Sequence, residues 1–112
     1  MLPSLREKKR YLAFEIISKQ KIENFKEASE AIMNAGLMFL GQLGMAKTGV
    51  IILKDKWSKD MQRGIIRVNH KHVDNLKAAL TVIEKINGKD AIVKSVGVSG
   101  ILKKAENKYL NQ

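Results

Sequence analysis

A chain of 112 residues is the size of one ordinary domain and too short for two typical cores. With 45% hydrophobic and 29% charged residues it is richer in apolar side chains than a disordered tail, and no apolar run approaches the roughly 20 residues that cross a membrane. Its 21 Lys and Arg against 11 Asp and Glu leave a net charge of +10, which points to a phosphate-rich partner, and zero cysteines exclude disulfides and thiolate metal sites.

The opening Met1-Leu2-Pro3-Ser4-Leu5 leads into no long apolar stretch and no small-residue cleavage site, so the cytoplasm is the expected location. Residues 1–10 read as a basic arm, and Arg6, Lys8, Lys9 and Arg10 run without a spacer into a first strand near residues 9–19. There Leu12, Phe14 and Ile16 alternate with Tyr11, Ala13 and Glu15. From Asn24 the period becomes helical. Asn24 can cap, Glu27 stands three residues on as the return partner of a capping box, and Phe25, Ala28, Ile32, Ala35, Phe39 and Leu43 form the stripe expected to face the core. Gly41 or Gly44 is expected to end this helix.

Val50 to Leu53 reads as a second strand, Lys54 to Gln62 as a polar loop, and Arg63 to Val68 as a third strand antiparallel to the second. Val73, Leu76, Ala79, Leu80, Ile83 and Ile86 trace a second helix stopped by Asn87-Gly88, and Ala91 to Val96 is a fourth strand. After Gly97-Val98-Ser99-Gly100, Ser99 can cap a short basic helix at about residues 100–110. The order β-α-β-β-α-β plus a terminal helix is the split βαβ pattern of the ferredoxin-like architecture. It predicts an α+β fold in a single domain over residues 1–112, with a four-stranded antiparallel sheet, helices on one face and a short C-terminal helix.

The residues offer little for catalysis. There is no Cys, and His70 and His72 stand beside Asp74 at a helix start, a spacing that makes no triad and supplies too few ligands for a metal. Asp55, Asp60, Asp74 and Asp90 fall in separate loops or turns, which argues against a protein-only nuclease with clustered carboxylates. The arm Arg6, Lys8, Lys9 and Arg10 suits phosphate contact, with Glu7 the only acid among the first 14 residues. Gly97-Val98-Ser99-Gly100 before Lys103-Lys104 can present backbone N–H groups and two cations to a phosphate, or can be a strand-to-helix turn that needs small residues. Isoleucines in Arg63-Gly64-Ile65-Ile66-Arg67-Val68 stand where an RNA recognition motif carries rings, so base stacking is not the expected source of affinity. Met33, Leu37 and Leu40 lie off the first helix's core stripe, where they either touch the terminal helix or form a protein interface.

Taken in order, Leu5-Arg6-Glu7-Lys8-Lys9-Arg10-Tyr11-Leu12-Ala13-Phe14, Gly41-Gln42-Leu43-Gly44-Met45-Ala46-Lys47, Gly64-Ile65-Ile66-Arg67, Ile86-Asn87-Gly88-Lys89 and Val96-Gly97-Val98-Ser99-Gly100-Ile101-Leu102-Lys103 resemble the archaeal ribonuclease P protein component 2 family across nearly the whole chain. The resemblance implies a ribonucleoprotein subunit in which RNA, with magnesium, removes the 5′ leader of precursor tRNA. The protein itself then has no catalytic residue and binds no metal or cofactor. It implies RNA contacts at Arg6, Lys8, Lys9, Arg10, Lys47, Arg67, Ser99, Lys103 and Lys104. The implied partners are ribonuclease P RNA, component 3, other ribonuclease P proteins, and a second copy of the chain within a heterotetramer. A ferredoxin-like protein-interaction or small-molecule regulatory module without RNA is the alternative, which scattered cations around a closed pocket would favour.

Overall fold

Alternation along Lys9–Ser18 builds strand β1 in the middle of the sheet, with Leu12, Phe14 and Ile16 in the main core and Ala13 in a second, smaller one. The computed structural model describes residues 8–110. β1 is followed by helix α1 (Phe25–Thr48), strand β2 (Ile51–Ile52), strand β3 (Arg63–Asn69), helix α2 (Val73–Thr81), strand β4 (Lys85–Ile86), strand β5 (Lys89–Ser99) and helix α3 (Leu102–Tyr109). The strands lie in the order β2-β3-β1-β5-β4, every pairing antiparallel. The fold is therefore α+β with five strands, one more than expected from the sequence. Without the two-residue β4, the order β2-β3-β1-β5 is that of a split βαβ sheet.

The fifth strand comes from Asn87-Gly88, which forms a hairpin turn instead of stopping a helix. α2 closes early through tight bonds from Val82 N to Ala79 O (3.2 Å) and Ile83 N to Leu80 O (3.3 Å). The chain then forms a hairpin, Ile86 opposite Lys89, through Asn87 and Gly88 with φ of 50° and 78°. Two consecutive positive φ values are what a two-residue hairpin turn requires, and Asn-Gly meets that need best. Ile83 and Ile86 are buried as expected, but not from a helix.

α1 differs from its expected course in its second half. Asn24 Oδ1 accepts from Glu27 N (3.0 Å), while the Glu27 carboxylate accepts from Asn87 Nδ2 (2.9 Å), so the cap is half of the expected box and ties the helix start to the hairpin. At Gly41 the backbone leaves helical geometry, with φ 74° and ψ 172°, and helical turns resume as far as Thr48. The sequence reading ended the helix at Gly41 or Gly44. Along the expected stripe Ala28, Ile32 and Ala35 are buried, whereas Phe39, just before the break, and Leu43, just after it, are 49% and 73% exposed.

Two layers cover the sheet. α1 and α2 pack on Leu12, Phe14, Ile16, Ile66, Val68 and Val93, and α3 lies on the other face over Ala13, Ile65 and the half-buried Tyr11 and Val96. The expected one-sided arrangement is thus completed by α3 on the second face. β5 runs on to Ser99, so Gly97 sits within a strand rather than opening a turn, and a Cβ there would overlap the Tyr109 hydroxyl. The Lys54 to Gln62 connection is packed. A 3-10 turn spans Lys54–Lys56, Trp57 stacks on Phe14 at 6.2 Å, and the buried Gln62 amide bonds Ile22 N (2.8 Å) and Ile22 O (3.0 Å). Among the described residues no helix is long and apolar enough to cross a membrane.

Candidate nucleic-acid interface

Register decides which cations meet. Lys9 pairs with Asn69 and Tyr11 with Ser99, so the start of β1, the end of β3 and the end of β5 form one end of the sheet. Lys8 is exposed there, and its carbonyl accepts from His70 N (2.8 Å). Arg10 Nη1 donates to the Lys9 carbonyl (3.1 Å) and lies beside Gly100, 3.5 Å from where a Cβ would stand. The exposed Lys103 and Lys104 follow one residue into α3. Lys47, in the last turn of α1, joins the same end through its carbonyl, which accepts from Asn69 Nδ2 (3.1 Å).

Two more of the expected contact residues stand apart from this cluster. The Ser99 hydroxyl accepts from Ile101 N (3.1 Å), and the N-cap of α3 is Ile101 without a side-chain bond; Ser99 closes a turn instead of capping the helix. Arg67 lies farther along β3, opposite Tyr11 and Ile51, half-buried, with its Nε enclosed and lacking a hydrogen-bond partner among the described residues. Arg6 lies outside the described residues.

The opposite end of the sheet is also lysine-rich, but there acids are interleaved. Lys59 holds Glu23 in an ion pair at 2.7 Å, which lowers the Glu23 pKa and raises that of Lys59, chiefly through the hydrogen bond. Lys89 and Lys21 add to the pull on Glu23, and Asp90 stands opposite Lys85 in the hairpin. On the α3 face Lys56 binds Glu106 at 2.9 Å, a hydrogen bond that raises the Lys56 pKa. By contrast, Lys8, Lys9, Lys47, Lys103 and Lys104 have no acidic partner within 4.0 Å among the described residues.

Sequence reasoning missed Asn69, which reads as an ordinary turn residue after an apolar strand and yet is 8% exposed and bonded on both sides of its amide. It also missed the extent of apolar surface on α1. Met33, Leu37, Met38, Phe39 and Leu43 are 36%, 40%, 86%, 49% and 73% exposed, and Leu40 is half-buried. Because α3 lies across the sheet from α1, it does not cover Met33 and Leu37, one of the two roles open to them from sequence. No three of His, Asp and Glu converge to hold a metal ion among the described residues.

The chain is a basic, Cys-free α+β protein with lysines gathered, away from acids, at one end of its sheet, the charge distribution that suits a polyanion. The model of the Rpp14/Pop5 family matches residues 10–110, and the chain belongs to that family. The chain is 44% identical over 110 residues to ribonuclease P protein component 2 of Pyrococcus furiosus, covering 98% of this chain and 89% of that protein. It is 38% identical over 110 residues to the protein of the same name from Methanosarcina acetivorans, covering 98% and 80%. A chain in the cryo-EM structure of yeast ribonuclease MRP shares the fold, with a TM-score of 0.66, 16% identity, and coverage of 95% of this chain and 88% of that one.

Proposed function

We propose that this chain is a protein subunit of ribonuclease P that supports the RNA subunit in removing the 5′ leader of precursor tRNA, and does not itself break the phosphodiester bond. The observation that carries the reading is the 44% identity, over 98% of the chain, to a ribonuclease P protein component 2. The mechanism is electrostatic. A folded RNA brings its own phosphates together and must also hold a polyanionic substrate, and fixed cations at Lys8, Lys9, Arg10, Lys47, Lys103 and Lys104 reduce that repulsion. Less magnesium is then needed on the RNA. Arg67, half-buried farther along β3, is the remaining cation on the way from this end into the sheet.

The apolar surface along the middle of α1, with Met33, Leu37 and Leu40, is the surface we assign to protein partners: component 3, other ribonuclease P proteins, or a second copy within a heterotetramer. The absence of cysteine suits work in a reducing compartment such as the cytoplasm. The test is precursor-tRNA cleavage by the cognate RNA with component 3 while magnesium is titrated. Adding this chain lowers the magnesium needed for half-maximal cleavage; an unchanged requirement contradicts the proposal.

A further inference from the structure

Asn69 is a buried polar group at the cationic end, and its two amide atoms bond two different basic segments. Its Oδ1 accepts from Lys9 Nζ, and its Nδ2 donates to the Lys47 carbonyl at 3.1 Å. Gly49 makes room for it, since a Cβ there would stand 2.7 Å from Asn69 Oδ1. The next residues, His70–His72, form a 3-10 turn whose first N–H is held by the Lys8 carbonyl at 2.8 Å. One side chain and one backbone bond therefore bring together the arm, the end of α1 and a turn that carries the exposed Lys71.

We propose that the His70-Lys71-His72 turn is part of the RNA contact, with Lys71 a phosphate ligand and Asn69 the residue that positions it beside Lys8, Lys9 and Lys47. This rests on the ribonuclease P reading above. Like charges gathered on three separate segments repel one another in the free protein, and no acid among the described residues lies within 4.0 Å of Lys8, Lys9, Lys47 or Lys71 to relieve them. A polyanion spanning the end relieves all four at once and releases counterions for each. Fixing the lysines' backbones in advance also removes part of the ordering cost of binding, which a scattered set of surface lysines would meet in full.

The experiment measures the salt dependence of binding between the full chain and its cognate ribonuclease P RNA. Four variants are compared with the wild type: Lys71→Glu, Asn69→Ala, the double change Lys8→Glu with Lys9→Glu, and Lys85→Glu at the far end of the sheet. Lys71→Glu should weaken binding several-fold at low salt and flatten the salt slope by about 0.7 to 0.9, the share of one phosphate contact. Asn69→Ala should flatten it at least as much although it removes no charge, a result that lost fold stability alone would not give in the fraction that remains folded. Lys85→Glu should leave the slope unchanged. A wild-type slope for Lys71→Glu, or an equal loss for Lys85→Glu, overturns the proposal; if the Lys8/Lys9 variant still weakens binding, the ribonuclease P reading survives it. A wild-type chain that prefers its cognate RNA no more than an unrelated structured RNA overturns both.

Discussion

The two ends of the sheet carry the same side chain to different effect. At the far end Lys59 is paired with Glu23, Lys89 adds to the pull on that carboxylate, and Lys85 stands opposite Asp90 in the hairpin register, so acids are interleaved with the lysines. At the near end Lys8, Lys9 and Lys47 are drawn together by Asn69 and the β3 turn with no acid among the described residues to balance them. The net charge of +10 is therefore a poor guide to the interface. What distinguishes a binding edge from a solvated face is the placement of cations by buried polar groups, because an amide buried and bonded on both sides costs about 1–3 kcal/mol to leave half satisfied.

The comparison can be broken from the middle. Phe14 lies under the sheet centre against Trp57 and supports both ends, so Phe14→Ala should cost about 3–5 kcal/mol in denaturant unfolding. It should leave the ranking of Lys71→Glu over Lys85→Glu intact in whatever fraction folds. A smaller effect is expected of Gly97→Val. The added side chain must displace Tyr109 and with it α3, costing about 1–3 kcal/mol by overpacking and moving Lys103 and Lys104 off their line with Arg10. RNA affinity should fall with stability in that variant, and a drop in stability alone would separate α3 from the interface.

Charge changes sharpen the contrast without disturbing the core. Lys8→Glu with Lys9→Glu should flatten the salt slope by about 0.7 to 0.9 per lost contact, as read by filter binding over a salt series. The smallest effect is expected for Glu106→Gln, which removes the partner of Lys56 on the α3 face. The Lys56 pKa is raised in the folded chain, so the pair's stabilisation is present at neutral pH and is lost as pH climbs through that raised value. Wild type and Glu106→Gln should differ slightly in thermal unfolding at pH 7 and converge in strongly alkaline buffer. RNA binding should be unaffected in either.

Much of this could be read from the chain, and the failures share a cause. β1 declared itself by alternation and β3 by a short apolar run after the polar connection, both central strands with neighbours on each side. The Asn24 cap was equally local. Asn87-Gly88 was legible as a turn but not as a hairpin, since β4 is only two residues long and carries no period of its own. Phe39 and Leu43 fit a straight helix's core stripe and are nonetheless exposed, and no period along the chain announces the break at Gly41 that lies between them. The basic arm, Lys47 and Lys103-Lys104 could be named individually. Their convergence depends on Asn69 and on the pairing of β1 with β3, contacts between residues 22 and 60 positions apart that no local pattern records.

The most direct measurement is a backbone footprint of ribonuclease P RNA with and without this protein, set against an unrelated structured RNA at the same salt. A cationic brace built for one ribozyme predicts a bounded set of protected phosphates on the ribonuclease P RNA, lost when Lys8 and Lys9 are reversed and kept when Lys85 is. Equal, diffuse protection of both RNAs would contradict it.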